Sequence, residues 1–187
     1  MVRTILRTPS AVLTTLTAVA EPVTVFDDEL RQLATDLADT CTHFEGAGLA
    51  APQIDVNLRV MYVSTLGPDH RTLVNPSWHA ISESWHSRAN EGCLSLPGVG
   101  VTIERAEHIV VQAQSITGEP VTFTANGLSA RIIQHECDHL DGVLIVDHLT
   151  GLNRKLMLDR YRKDTKRQTR RVNAALRQGG LSIQTHS

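Results

Sequence analysis

The string His135-Glu136-Cys137-Asp138-His139 constrains this chain more than any other feature. An H-E-x-x-H spacing is chemically useful on a helix, where residues i and i+4 share a face and sit about 6 Å apart along the axis. Two imidazoles so placed can converge on one divalent metal ion. The intervening glutamate lies beside them, where it can take a proton from water. The flanking residues agree with a helix. Gly127 to Leu140 sets Leu128, Ile132, His135 and His139 on one face, and Gly142 supplies a C-terminal stop. The fold is expected to be built around this helix.

Two nitrogen donors leave such a site incomplete, because catalytic sites usually present three protein ligands and a water. The extension H-E-x-x-H-x-x-G-x-x-H of zinc peptidases fails here. Gly142 falls in place, but Ile145 occupies the last position and His148 comes three residues late. No glutamate follows Glu136, and Asp141, Asp147, Asp159 and Asp164 lack the expected spacing. The third ligand is therefore expected upstream. Glu91-Gly92-Cys93-Leu94-Ser95 is the best candidate, since a thiolate suits borderline metals and the metal lowers the thiol pKa. Taken alone, a single cysteine is more often core. Cys137 lies two residues, about 200° around the helix, from each histidine and is a poor ligand for the same metal.

Elsewhere the pattern is helix, strands, helix, helix, which argues for α+β rather than alternating units. Asp27 is a plausible N-cap for a helix in which Leu30, Leu33, Ala34, Leu37, Ala38 and Cys41 recur on one face, so Cys41 reads as core. Strands are expected at 58–63, 72–75, 99–103, 109–113 and 121–124. Residues 77–90, with Trp78, His79, Trp85 and His86, show no pattern. Both histidines there read as loop residues rather than a second metal site. Residues 152–177 read as a long helix that offers Leu152, Leu156, Met157 and Tyr161 for docking and ends at Gly179-Gly180. The expectation is a single domain over 1–187. Small antiparallel or mixed sheets surround the H-E-x-x-H helix, with an N-terminal and a C-terminal helix. Residues 1–150 form a catalytic core, and residues 151–187 form a basic helix and tail.

Charge divides the chain at the same place. Residues 1–150 carry 8 Lys/Arg against 18 Asp/Glu, and residues 151–187 carry 10 against 2, so the overall −2 conceals −10 and +8. A basic tail on an acidic body suggests a polyanionic partner; the alternative is a solvated helix face. No apolar run reaches 18 residues, so no transmembrane helix is expected. At 4% aromatics, stacking platforms for single-stranded nucleic acid are not expected either. Residues 18–20, Ala-Val-Ala, imitate a signal cleavage site, but Thr14, Thr15 and Thr17 make the preceding segment too polar for secretion.

A third string, Gly46-Ala47-Gly48-Leu49-Ala50-Ala51-Pro52-Gln53, has glycines that permit a close backbone approach and a glutamine whose amide could donate to an oxyanion. It lacks the Lys and Ser/Thr of a phosphate loop. Alone it reads as a turn before a strand.

Together the three strings resemble the peptide deformylase family. The family's Gly-x-Gly-Leu-Ala-Ala-x-Gln, Glu-Gly-Cys-Leu-Ser and Gln-His-Glu-x-Asp-His occur in order at 46–53, 91–95 and 134–139. Asn75-Pro76, Arg105-Ala106-Glu107 and residues 140–144 also look like family positions. The resemblance implies that Cys93, His135 and His139 ligate the metal and that Glu136 acts as base and then acid. It implies that the Gln53 amide and the Leu94 N–H serve an oxyanion, and that Gly48 contacts the substrate backbone. Ala47 stands where the family commonly has Ile or Val, so the methionine pocket is expected to be wider. The implied cofactor is Fe²⁺, replaceable by zinc, nickel or cobalt. The implied reaction removes formyl from the N-terminal formyl-methionine of nascent polypeptides and releases formate. The implied setting is the bacterial cytoplasm, with organelle import a minor reading and no membrane or DNA partner. In some bacterial relatives the C-terminal helix docks on the ribosome, which would occupy the basic tail. Residues 6–23 are similar to the family's opening segment and are expected to be mature structure. Three other classes compete. An internal-bond peptidase lacks its downstream ligand, a pure metal-binding module has no use for Glu136, and an RNA binder would depend on residues 151–187.

Overall fold

The computed structural model describes residues 1–7, 13–68 and 71–178. The expected helix stop at Gly179-Gly180 lies outside them. A short helix α1 (Leu13–Leu16) precedes α2 (Asp28–His43). Asp27 is extended, and its carboxylate accepts from the Leu30 N–H at 3.0 Å, so the expected cap is formed. Leu30, Leu33, Leu37 and Cys41 are buried along one face of α2, each leucine contributing roughly 1.5–3 kcal/mol through burial.

Strands β1 (Gly48–Ala50), β2 (Val60–Val63) and β3 (Thr72–Ala80) follow, with a 3-10 turn at Ala51–Ile54 after β1. They join β6 (His108–Gln114) and β7 (Pro120–Asn126) in a five-stranded antiparallel sheet of order β1-β2-β3-β6-β7. Strands β4 (His86–Gly92) and β5 (Gly100–Ala106) form a separate antiparallel ribbon. Helix α3 (Gly127–Leu140) lies against the sheet, where Ile132, Ile133 and Leu140 pack with Ile109 and Val111. A second apolar cluster joins α2 to β1 and β2 through Leu37, Cys41 and Leu49. A third joins β5 to the 3-10 turn Ile145–His148 and to α4 (Gly151–Gln178).

The sheet carries one irregularity, between Val74 and Ser77 of β3. Asn75 sits there at φ +50°. Its carboxamide accepts from the Val23 N–H at 2.8 Å and donates to the Val23 carbonyl at 2.9 Å and to Gln114 Oε1 at 2.7 Å. Asparagine tolerates this conformation, and the three bonds hold the chain through the bulge.

Several expectations need correction. Residues 77–90 are not a loop. Most of them extend β3 to Ala80 and form β4, so His79 and His86 lie on strands. Strand β4, His-Ser-Arg-Ala-Asn-Glu-Gly, buries only Glu91, so it shows no apolar alternation to read. The 46–53 string contains a short strand as well as a turn. Helix α4 docks through Met157, Leu158 and Tyr161, whereas Leu152 and Leu156 are 70% and 57% exposed. The latter pair lies one residue, about 100°, off the docked face. Among the described residues no helix is long and apolar enough to cross a membrane.

Candidate functional site

The cavity that matters opens between β1, β4 and α3 and holds about 450 Å³. Its wall includes Ala47, Gly48, Gln53, Cys93, Leu94, His135 and Glu136. His139 is buried beneath them. Every residue singled out from the three strings is thus brought to one place.

The ligand atoms of Cys93, His135 and His139 lie within 4.8 Å of one another, and Cys93 Sγ is 3.2 Å from His139 Nε2. Among the described residues this is the one such group of three His, Cys, Asp or Glu. Helix α3 supplies both imidazoles one turn apart. Cys93 is the first residue past β4, where its carbonyl accepts from the Leu96 N–H at 3.0 Å and turns the chain. Burial opposes a charge on Cys93, yet the His139 and His135 rings hold its thiol well below the ordinary thiol range. Burial likewise opposes a charge on His135, while Cys93 and Glu91 raise it to about 10. With no ion bound, the two shifts together favour a thiolate paired with a protonated His135 ring. Thiolate and imidazole are the donors a borderline divalent cation takes, displacing protons as it binds. The other two cysteines differ. Burial pushes both Cys41 and Cys137 up to about 12, and they serve as core.

Glu136 is buried, and burial raises its pKa against the pull of the neighbouring imidazoles. Its Oε2 and His139 Nδ1 have no hydrogen-bond partner among the described residues. An unpaired buried carboxylate oxygen is costly, and here it stands at the wall of a cavity. The approach of β1 to this carboxylate requires glycine. A Cβ at Gly48 would stand 2.6 Å from Glu136 Oε1 and 2.7 Å from Ile132 Cγ2. Gln53 sits on the 3-10 turn Ala51–Ile54 with its carboxamide fixed. Oε1 accepts from the Ala50 N–H at 2.8 Å, and Nε2 donates to Ser95 Oγ at 3.2 Å and reaches Cys93 Sγ at 3.7 Å.

The supporting shell was not foreseen. Glu91 Oε2 meets His135 Nδ1 at 3.0 Å, which turns the other ring nitrogen toward Cys93. Arg105 clasps the same carboxylate at 3.1 and 3.0 Å, and Arg131 adds a third contact at 2.6 Å. Although burial opposes it, these partners hold Glu91 at about 2. Asp138 stands on α3 one residue before His139. It takes Arg105 and His148, each at 2.7 Å, so the imidazole it holds is not one of the cluster. Gln134 exchanges hydrogen bonds with both backbone groups of Ala106, tying the end of β5 to α3. Glu91, Arg105 and Gln134 were visible as parts of the strings, but nothing in a linear pattern pairs them.

A buried carboxylate beside a Cys–His–His set, at the wall of an open cavity on an α+β scaffold, defines a hydrolase of the H-E-x-x-H kind. Over residues 2–155 the chain matches the polypeptide deformylase family. It is 46% identical over 144 residues to the peptide deformylase of Acidothermus cellulolyticus, spanning 77% of this chain and 78% of that one. It is 41% identical over 169 residues to the peptide deformylase of Aquifex aeolicus, spanning 87% and 96%. It superposes on the crystal structure of a peptide deformylase from Legionella pneumophila with a TM-score of 0.75 at 38% identity, covering 89% of this chain and 99% of that one. The chain belongs to the polypeptide deformylase family, whose members are metal-dependent hydrolases.

Proposed function

We propose that the chain carries out its family's reaction at this cavity, removing formyl from the N-terminal formyl-methionine of nascent polypeptides and releasing formate. Cys93, His135 and His139 hold one divalent ion. The observation that carries this reading is the convergence of their ligand atoms within 4.8 Å, beside a buried Glu136 whose Oε2 has no hydrogen-bond partner among the described residues. A cation bound there lowers the pKa of water and polarises the formyl carbonyl. Glu136 takes the proton from the attacking water and later delivers it to the leaving amine. The Gln53 amide and the Leu94 N–H donate to the carbonyl oxygen as it gains charge, each such donor worth ~3 kcal/mol in the transition state. Gly48 offers its backbone to the substrate, and Ala47 leaves room for the methionine side chain. The native ion is Fe²⁺, with zinc, nickel and cobalt as substitutes, so the iron form should lose activity in air faster than a nickel form.

The test is Glu136→Gln, which keeps the shape but cannot accept the proton. Metal content should match wild type while formate release from formyl-Met-Ala falls ~10²–10⁴-fold. Activity within about threefold of wild type would remove Glu136 from the role.

On this reading residues 1–150 are the catalytic core, residues 151–187 are a basic tail, and the protein works in a bacterial cytoplasm. The tail is the ribosome contact. Arg160, Lys163, Lys166, Arg167 and Arg170 of α4 are exposed, which suits RNA phosphate. Co-sedimentation with ribosomes should fall with added salt and with deletion of residues 162–187, while hydrolysis of formyl-Met-Ala stays nearly constant. Equal binding by both forms would leave the tail a solvated face.

A further inference from the structure

Arg131 stands one helical turn before His135, on the same face of α3. Its side chain is only 11% exposed, and its guanidinium makes four contacts. Nη1 donates to Glu91 Oε1 at 2.6 Å and to the Ile103 carbonyl at 3.1 Å. Nη2 donates to the Ser87 carbonyl at 2.7 Å and to Ser87 Oγ at 2.9 Å. Ser87 belongs to β4 and Ile103 to β5, and Glu91 is the carboxylate behind His135. One side chain of α3 thus grips both strands of the ribbon and the support of a ligand histidine.

The grip has a consequence because of where the ribbon leads. Among the described residues the ribbon shares no strand pairing with the five-stranded sheet, so contacts with neighbouring elements set its position. Arg105 joins the ribbon to α3 through Asp138, and Gln134 does so at the β5 end through Ala106. Arg131 reaches β4 itself, and Cys93 follows β4 directly. A shift of β4 along or away from α3 carries Cys93 with it.

We infer that Arg131 is a positioning residue that clamps the β4–β5 ribbon onto α3 and so sets the separation between the Cys93 thiolate and the two imidazoles. It governs how firmly the ion is held and how wide the cavity stands between Leu94 and α3. The inference rests on the reading that Cys93, His135 and His139 hold the ion. A planar guanidinium is needed because the acceptors lie on two strands and a carboxylate at once. A lysine ammonium, a point charge on a flexible stem, cannot span them.

The experiment compares wild type, Arg131→Lys and Arg131→Met, each loaded with cobalt. It records cobalt transfer to excess chelator, the thiolate-to-cobalt absorption band, the thermal midpoint, and KM and kcat on formyl-Met-Ala. Arg131→Lys should release cobalt roughly 10-fold faster and Arg131→Met up to roughly 100-fold faster, with a shifted band and KM rising more than kcat falls. Should Arg131→Met fail to fold, Arg131→Lys carries the same test. Wild-type retention and band in Arg131→Lys would reduce Arg131 to a counter-charge for Glu91 and overturn the clamp. A lower thermal midpoint in either variant with unchanged cobalt release would make it a stability residue and overturn it as well. A wild type that shows no thiolate band would instead remove the metal reading itself.

Discussion

Strands β1 and β4 face each other across the cavity and are built by opposite means. β1 buries Leu49 and Ala50 in apolar clusters, and its glycine lets it press against α3. β4 buries only Glu91, a charged residue enclosed by Arg105, Arg131 and His135. One wall is held by excluded water and the other by ionic hydrogen bonds. The apolar wall tolerates small adjustments, because burial is non-directional. The polar wall fixes angles as well as distances, and the polar wall leads to the cysteine. A ligand that must stand within a few tenths of an ångström of its place is better attached to the directional side.

Substitutions can break this contrast or refine it. The largest effect is expected from the residue the polar wall delivers. Cys93→Ser should lose the metal, since a hydroxyl is a harder and far less acidic donor than a thiolate. Cys41→Ser and Cys137→Ser should retain it; metal analysis after dialysis decides. Next comes Arg105→Met, which leaves Glu91 and Asp138 without their shared cation. A broken buried ion pair of this kind costs ~3–5 kcal/mol, read as a lower urea midpoint with faster metal loss. Its counterpart across the cavity, Leu49→Ala, should cost a comparable ~2–5 kcal/mol while the metal stays in place. Equal metal loss in both would erase the distinction between the walls. Acid gives a gentler probe. Glu91 is held at about 2 against an ordinary value of 4.5, so its contribution is complete above 4.5 and is lost as pH falls toward 2. Across that window the urea midpoint of wild type should fall more steeply than that of Glu91→Gln. The smallest effect belongs to the solvent side of the same ribbon. Arg88 and Glu104 pair at 3.7 Å while 71% and 57% exposed, so Arg88→Gln should change stability by only ~0–1 kcal/mol.

The same contrast explains what could be read from the chain before its structure. The α2 stripe, the span of α3 and the positions of β2, β6 and β7 follow apolar periodicity, and periodicity is local. Cys93 could be nominated because its neighbours form a string and because two histidines need a third donor. β4 could not be found, since a strand whose buried member is a glutamate looks like a polar loop. Nor could the Glu91–His135 and Arg131–Ser87 pairings be found. They join residues 44 apart in sequence, and a hydrogen bond across the fold leaves no periodic trace. Helix α4 failed in a different way. Its apolar residues are too few to define a face, so Leu156 and Met157, one position apart, could not be ranked.

The clearance at Gly48 bears on how this cavity could change over time. A Cβ there would stand 2.6 Å from Glu136 Oε1 and 2.7 Å from Ile132 Cγ2, so drift at position 48 is opposed as long as the carboxylate must keep its place. Position 47 is exposed at the cavity's mouth and carries an alanine. Lineages that come to favour longer or shorter leading side chains would therefore record that history at residue 47. A saturation library over both positions, selected for hydrolysis, should return a single letter at one and a broad spectrum at its neighbour.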